Sequence, residues 1–372
     1  MKRAMIFLVT ALAGCASMPE RGNETVSTRA ERAAAEKLYA GQSPVVHATE
    51  FPVASAAEGI ARGDMAWRQG KLDLAVYLYV QSLAYDSAMA GPFLKIAAIH
   101  EQLGNNALAE KAFELALERD PANAGACERL GLLYLESRQD DAAERLLHAA
   151  VRKDPNRWRG YNGLGILADR RAEYGLAEQH YDRAHLLQPN NASVINNRGY
   201  SHYLAGKPEA AEADLRYALQ LGGPPGTWTN LGKALAKQGR HEEALESLLK
   251  EADAAHAYNT LGEVVREGGD LQRARRYFAD AISAAPRYFP DARENLTEVD
   301  KRLAAAARES GAPAARITPA GANTAVIGQV DPMTVPVGYW LSQGKTRAGG
   351  GARRQGAAVA SRQASARAGK AQ

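Results

Sequence analysis

Cysteine and aromatic residues are scarce in this chain, and each shortage excludes a class of protein. Two cysteines among 372 residues cannot build the disulfide framework of a small secreted domain. Aromatic residues make up only 7% of the chain, and the abundant alanine suits closely packed helices. The apolar run at residues 4–13 is too short to cross a bilayer as a helix.

Positive charge lies at the two ends of the chain and not in its middle. The formal net charge is +4, but eight Lys or Arg and only one Asp follow Ser310, and Lys2 and Arg3 precede residue 15. Residues 15–310 are therefore acidic on balance. Because a nucleic-acid-binding domain carries its basic surface on the folded part, this distribution argues against a nucleic-acid partner.

Three sets of positions recur with one shared period. In each set the successive steps are 34, 34, 34, 34, 33 and 30 residues. The small-residue set is Gly63, Ala97, Gly131, Gly165, Gly199, Gly232 and Gly262. The alanine set is Ala75, Ala109, Ala143, Ala177, Ala211, Ala244 and Ala274. The large-residue set is Tyr79, Phe113, Leu147, Tyr181, Leu215, Leu248 and Phe278. A period near 34 predicts stacked helical hairpins.

The third and fourth copies resemble the tetratricopeptide repeat most closely. They contain Cys127, Leu130, Gly131, Tyr134, Ala143, Leu147, Ala150 and Pro155, then Tyr161, Leu164, Gly165, Ala177, Tyr181, Ala184 and Pro189. The resemblance spans about residues 56–288 and implies an all-α tetratricopeptide-repeat superhelical solenoid of about seven helical hairpins. Residues 289–309 are expected to add a C-terminal capping helix. Cys127 falls on a buried stripe, where a small core side chain is expected.

Two joints between repeats depart from the pattern. Residues 222–226 read Gly-Gly-Pro-Pro-Gly, which is a looser connection than the Asp-Pro turns of the earlier repeats. Four residues are missing before the seventh repeat, and Glu251 stands where alanine is expected. We therefore expect a shortened second helix in the sixth repeat, with a change of curvature at residues 222–226 and 251–255.

The N-terminus resembles a bacterial lipoprotein signal. Lys2 and Arg3 precede the apolar run, which ends in the lipobox-like Leu-Ala-Gly-Cys of residues 12–15. The resemblance implies that residues 1–14 are removed and that Cys15 becomes the lipidated, palmitate-bearing N-terminus. Because Ala16 and Ser17, and no aspartate, follow Cys15, it further implies the outer membrane, facing the periplasm. An ordinary secretory signal with a coincidental cysteine is the alternative.

Two further segments flank the repeats. Residues 15–55 are expected to form a flexible, lipidated tether that lifts the repeats off the membrane. Residues 310–372 are rich in Ala, Gly, Arg, Ser and Pro and are predicted to be a disordered basic tail. Within this tail, residues 335–341 read Val-Pro-Val-Gly-Tyr-Trp-Leu, which is either a docking motif or a chance cluster.

The sequence carries no recognisable catalytic or metal-binding arrangement. Gly344, Lys345 and Thr346 lack the first glycine of a phosphate-binding loop, because Tyr339 stands at that position. His180 and His185 lie five residues apart, a spacing that does not place them on one helical face for a metal. We therefore expect no enzyme, cofactor, metal or small-molecule substrate.

The candidate binding site is the inner face of the array. In tetratricopeptide proteins the first helix of each repeat lines this face and binds peptides. The corresponding residues here are Asn162, Asn196, Asn197, Tyr200, Tyr203, Asn230 and Asn259, with Arg159, Asp169, Arg170, Lys233 and Lys237 nearby. Asparagine amides can donate to and accept from an extended peptide backbone. The alternative is that these asparagines merely face solvent.

Together these features favour a lipid-anchored periplasmic scaffold or adaptor that binds proteins. Its build resembles the tight-adherence (Flp) pilus assembly lipoprotein, which implies that it assists assembly of an outer-membrane pilus or secretion machine beside the pilus secretin. A type IV pilus pilotin is one alternative. An adaptor for peptidoglycan hydrolases or for outer-membrane protein assembly is another.

Overall fold

The computed structural model describes residues 53–309, which contain fifteen α-helices and no β-strand. The first helices of the hairpins are α1 Ala56–Arg68, α3 Gly91–Gln102, α5 Ala124–Glu136, α7 Trp158–Arg170, α9 Ala192–Leu204, α11 Thr227–Lys237 and α13 Ala254–Glu267. The second helices are α2 Leu72–Tyr85, α4 Asn106–Arg119, α6 Asp140–Lys153, α8 Tyr174–Leu187, α10 Pro208–Gln220, α12 His241–Leu248 and α14 Leu271–Ala284. Helix α15, Pro290–Glu309, follows the last hairpin. The predicted all-α solenoid of seven hairpins and a capping helix is confirmed.

The three repeating sets of residues form the contact between the two helices of each hairpin. Each small residue on a first helix faces the large residue sixteen positions later on the second helix. A Cβ atom built on Gly165 would lie 2.7 Å from Cε1 of Tyr181, and one on Gly262 would lie 2.7 Å from Cε1 of Phe278. All seven alanines of the second set are fully buried. At all six glycines of the set, a Cβ atom would lie less than 3.0 Å from the facing large side chain, so close packing requires glycine there. The second hairpin has Ala97 at this position and accommodates a Cβ atom.

A fourth position follows the same period, at the turn inside each hairpin. The backbone has a positive φ there in every repeat, which glycine adopts without strain. The occupants are Gly70, Gly104, Arg138, Ala172, Gly206, Gly239 and Gly269. The third and fourth hairpins place Arg138 at φ 63° and Ala172 at φ 58°, so each carries a backbone strain of about 1 kcal/mol.

Helix α12 confirms the predicted shortening of the sixth hairpin. It has eight residues, whereas the other second helices have 13 or 14. Glu251, in the turn after α12, accepts hydrogen bonds from the backbone N–H groups of Gly226 and Thr229 and from the Thr229 hydroxyl, each at 3.1 Å. It caps the start of α11, where the N-cap residue Gly226 has no side chain to do so. The residue that breaks the repeat pattern thus joins its two irregular connections.

Helix α15 covers the last hairpin, as expected. Ala292 and Val299 are fully buried, and Leu296 and Leu303 pack against the core of the last repeats. Cys127 is buried, as predicted for a core side chain, and burial raises the pKa of its thiol. The predicted signal, Cys15, most of the tether, and the basic tail with residues 335–341 lie outside the described residues.

Candidate protein-binding face

The first helices form a continuous layer. Each second helix packs against its own first helix and against the first helix of the next hairpin. The first helices from α5 to α13 also contact one another in succession, and α13 contacts α15. We call the side of this layer away from the second helices the inner face, and its residues on α7, α9, α11 and α13 are Asn162, Ile166, Asn197, Tyr200, Asn230, Lys233, Lys237, Glu263 and Glu267.

Four of the five candidate asparagines form one chain of amide hydrogen bonds across α7, α9 and α11. The Nδ2 of Asn230 donates to Oδ1 of Asn196 at 3.2 Å. Asn196 in turn donates to Asn197 at 3.3 Å, and Asn197 donates to Asn162 at 3.1 Å. The two terminal atoms of this hydrogen-bonded series, Nδ2 of Asn162 and Oδ1 of Asn230, have no partner among the four amides. The amides therefore link three repeats, and most of their side-chain nitrogen and oxygen atoms are hydrogen-bonded within the array.

Asn259 belongs to a second network that leads towards α15. It is 8% exposed, and its Nδ2 donates to Oε1 of Glu263 at 2.8 Å. Its Oδ1 accepts from Asn295, whose own Oδ1 accepts from Nη1 of Arg266 at 2.6 Å. The break between the two networks falls at the shortened sixth hairpin. The five candidate asparagines therefore belong to two separate hydrogen-bond networks.

Tyr200 and Tyr203 form a stacked pair on α9. Their ring centroids are 5.9 Å apart, with an angle of 23° between the ring planes. Lys233 Nζ lies 6.0 Å from the Tyr200 ring centroid, and Lys237 Nζ lies 5.5 Å from that of Tyr203. Burial, together with Glu267, raises the pKa of Tyr203 to about 12, so its hydroxyl stays protonated at neutral pH. Tyr203 is 7% exposed and belongs to the core, so it supports the half-buried Tyr200 ring from below. Tyr200 is therefore the aromatic side chain of the pair that faces a ligand, and two cations flank the pair.

Asp169 and Arg170, which the sequence placed near the inner face, are bound to side chains of neighbouring repeats. Asp169 accepts from the Ser201 hydroxyl at 2.6 Å and from the Tyr181 hydroxyl at 2.9 Å. Burial raises the pKa of Asp169 in spite of these two hydrogen bonds. Arg170 pairs with Asp140 and donates to the backbone oxygen of Leu135. Their role is to hold successive hairpins in register.

Glu263 and Glu267 on α13 are inner-face residues that the sequence reasoning missed. Each lies 30 residues after Lys233 and Lys237 respectively, as Gly262 lies 30 residues after Gly232. Counting along the repeat period would therefore have found both. Reading each helix alone does not, because a glutamate on a charged helix surface is unremarkable.

The histidines of the described residues do not form a metal site. The His180 ring contacts His148, with 6.1 Å between the centroids, and burial together with His148 lowers the pKa of His180. Within residues 53–309, no group of three or more His, Cys, Asp and Glu side chains is arranged to hold a metal ion. None of the helices in the same range is both long and apolar enough to cross a membrane.

Family models agree with the repeat pattern. Two models, both described as Tetratricopeptide repeat, match the chain, one over residues 102–164 and the other over residues 60–124, 196–260 and 229–289. These ranges together amount to more than half of the chain. Tetratricopeptide repeat protein 8 of Caenorhabditis elegans is 28% identical over 144 residues, which are 37% of this chain and 28% of that protein. The match therefore spans little more than a quarter of the relative's length.

Solved structures with similar repeats have low identity to this chain. A tetratricopeptide repeat protein from Parabacteroides merdae is 17% identical with a TM-score of 0.48, over 66% of this chain and 98% of that chain. The pilF protein of Pseudomonas aeruginosa is 19% identical with a TM-score of 0.45, over 52% and 89%. PilW, described as a widely conserved type IV pilus biogenesis factor, is 18% identical with a TM-score of 0.46, over 52% and 91%.

Proposed function

Since this chain belongs to the tetratricopeptide-repeat proteins, we propose that it is a scaffold whose inner face binds a segment of a partner protein in the bacterial envelope. The observation that carries the proposal is the arrangement of Tyr200, Tyr203, Lys233 and Lys237 beside the end of the amide chain. The Tyr200 ring, supported by the buried Tyr203 and placed next to donors, acceptors and cations, can cover an apolar side chain and fix the backbone beside it. Rigid binding groups lose little conformational entropy when a partner binds.

We further propose that lipidation of Cys15 holds this scaffold at the outer membrane, facing the periplasm. Support comes from the basic start, the apolar run and the Leu-Ala-Gly-Cys sequence of residues 12–15. Each buried methylene of an acyl chain contributes about 0.8 kcal/mol, and two or more chains give stable anchoring. With repeats and lipid anchor on one chain, the protein assists assembly of an outer-membrane pilus or secretion machine of the tight-adherence type, beside its secretin.

The membrane anchor is tested by substituting Cys15. In cells that express Cys15→Ser, we expect the protein to move from the membrane fraction to the soluble periplasmic fraction, because no acyl chain can be attached. Cell fractionation with immunoblotting measures this. Cys127→Ala is the matched control and should remain with the membranes, since Cys127 lies in the core of the repeats. If Cys15→Ser stays with the membranes, the anchor is located elsewhere.

The partner-binding face is tested by replacing Asn197, Tyr200 and Asn230 together with alanine. We expect crosslinking to the partner in the native envelope, read out by mass spectrometry, to fall roughly tenfold or more, because truncated hot-spot residues dominate binding. The circular dichroism spectrum should stay unchanged, because the two asparagines link neighbouring hairpins only through amide hydrogen bonds and none of the three residues belongs to the buried sets that form each hairpin.

A matched triple variant on the second helices is the control for this experiment. Arg152, Arg216 and Tyr217 are exposed, and their replacement with alanine should leave crosslinking unaffected. Recovery of the secretin with the native chain supports the pilus role. If an intact inner face never captures the secretin but captures another envelope protein, the scaffold proposal stands and the pilus role is rejected. Equal capture by both triple variants would reject the inner face as the binding surface.

A further inference from the structure

The inner face changes its chemistry from one first helix to the next at a single position of the repeat. The residue that follows the small residue is Ile166 on α7, Tyr200 on α9, Lys233 on α11 and Glu263 on α13. One helical turn later, Lys237 and Glu267 repeat the basic and acidic characters of α11 and α13. Along the array the face therefore reads apolar, aromatic, basic and acidic.

Lys233, Lys237, Glu263 and Glu267 form a charged strip of the inner face, and its two lysines have no carboxylate partner within residues 53–309. Glu263 accepts hydrogen bonds from the neutral amides of Asn259 and Asn295, which leave its charge in place. Within the described part of the chain, no carboxylate lies within 4 Å of Lys233 Nζ or Lys237 Nζ, and their recorded contacts are with tyrosine rings. Several other cations of the first helices are paired with carboxylates. Arg129 pairs with Glu101, and Arg198 pairs with Asp214. Among the described residues, Lys233 and Lys237 share the lack of a carboxylate partner with Arg159, whose guanidinium lies 4.5 Å from the Trp158 ring centroid, and with Arg266, which donates to Asn295. The two lysines differ from these arginines in lying one turn apart on the same helix.

Two further features make the strip unfavourable in the free protein. Like charges one turn apart destabilise a helix, and this applies to the two lysines on α11 and to Glu263 and Glu267 on α13. Glu267 is also the last residue of α13, at the negative end of the helix dipole. A ligand that brings the opposite charge to each helix removes both kinds of repulsion.

We propose that the inner face binds an extended segment whose side chains are apolar or aromatic opposite α9, acidic opposite α11 and basic opposite α13. Packed helices are about 8–10 Å apart, and an extended chain advances about 3.3 Å per residue. The three side chains therefore recur at about every third residue of the segment, with the acidic residue in the middle. This inference rests on the proposed function, since it specifies the partner segment that the inner face binds.

Short fluorescein-labelled peptides test the order of the charges, using the full-length chain and fluorescence anisotropy. One pair of peptides has the acidic residue between the aromatic and the basic residue, written in both chain directions. The second pair exchanges the acidic and basic residues and keeps the composition. We expect the better acid-centred peptide to bind about tenfold more tightly than either base-centred peptide, and the difference to shrink as salt is added.

A charge exchange in the protein identifies the strip as the site. The variant Lys237→Glu with Glu267→Lys keeps the net charge and reverses one of the two charge pairs, so discrimination between the peptides should fall to about one. The control is Arg152→Glu with Glu246→Lys, which exchanges exposed charges on second helices and should keep the native preference.

Three results would overturn the proposed charge order. They are equal affinity of all four peptides for the native chain, no binding of any peptide, and a native preference retained by the Lys237→Glu, Glu267→Lys variant. Each is separable from failure of the proposed function. If the peptides give such a result while crosslinking still depends on Asn197, Tyr200 and Asn230, the inner face binds a segment of another pattern.

Discussion

Tyr181→Ala is expected to destabilise the fourth hairpin by about 3–5 kcal/mol, the range for large buried aromatic side chains. Tyr181 is 1% exposed, and its ring fills the space beside Gly165, where a Cβ atom would not fit. Its hydroxyl donates to Asp169 at 2.9 Å. Removing the side chain therefore opens a cavity between α7 and α8 and takes away one of the two hydroxyl donors of a half-buried carboxylate.

Urea unfolding followed by circular dichroism measures this loss. Tyr181→Phe keeps the ring and removes only the hydroxyl, so it should cost about 1 kcal/mol. Tyr217→Ala on α10 removes an exposed ring and should be nearly neutral. Because each repeat contacts only its neighbours, hydrogen exchange should quicken first in α7 and α8. A loss for Tyr181→Ala no greater than that for Tyr181→Phe would show that the ring does not support the hairpin.

Arg198→Met is expected to lower the free energy of unfolding by roughly 2–4 kcal/mol, because it removes the arginine that pairs with the mostly buried carboxylate of Asp214. Arg198 on α9 donates to both oxygens of Asp214 on α10, each at 2.8 Å, and to Asp182 on α8 at 3.0 Å. The side chains of Arg198 and Asp214 are 17% and 13% exposed. The hydrogen bonds to Asp214 raise the pKa of Arg198. One guanidinium thus joins three helices of two repeats.

The double variant Arg198→Met with Asp214→Leu tests whether the loss of stability comes from leaving the Asp214 carboxylate unpaired. Replacing both members of a buried ion pair by apolar side chains is often neutral, whereas removing one member is not. The double variant should therefore recover most of the stability that Arg198→Met loses, as measured by the urea midpoint. Arg216→Met on α10, whose side chain is 50% exposed, is the control and should change little. A double variant less stable than Arg198→Met would refute this account.

In the sixth hairpin, the two irregular joints of the sequence are connected by a direct contact. Its second helix is short, and the connection before its first helix contains two glycines and two prolines followed by Gly226. Gly226, the N-cap residue of α11, has no side chain to accept from the first N–H groups of the helix. Glu251 supplies that cap across the hairpin, so the two irregular joints depend on each other.

Much of the fold could be predicted because its signals are local. The pairing of Gly63, Gly165 or Gly262 with a large residue sixteen positions later is visible from the period, since a small residue in one helix is needed wherever a large one enters from the next. The short second helix followed from the same counting, and α15 from the helical spacing of its own apolar residues. Arg138 and Ala172 were not anticipated, because their side chains give no sign of a positive φ.

The candidate site was less predictable, and the reason is physical. The sequence located asparagines on the first helices, but their partners are in other repeats, and 3 Å hydrogen bonds depend on how far each hairpin turns and shifts relative to the last. Asn230 therefore bonds to Asn196 on α9, while Asn259 accepts from Asn295 on α15. No pattern within one repeat contains that information.

The sequence by itself determined the repeating hairpin, because period, small residues and large residues all specify one helix contact. It also determined where that repetition weakens, at residues 222–226 and at Glu251. Only the tertiary structure decided which polar groups are consumed inside the array and which remain for a partner. Asn196 and Asp169 are bound by side chains of neighbouring repeats, whereas Lys233 and Lys237 have no carboxylate partner in the described residues. A polar side chain is available to a ligand only when no neighbouring repeat has already bound it.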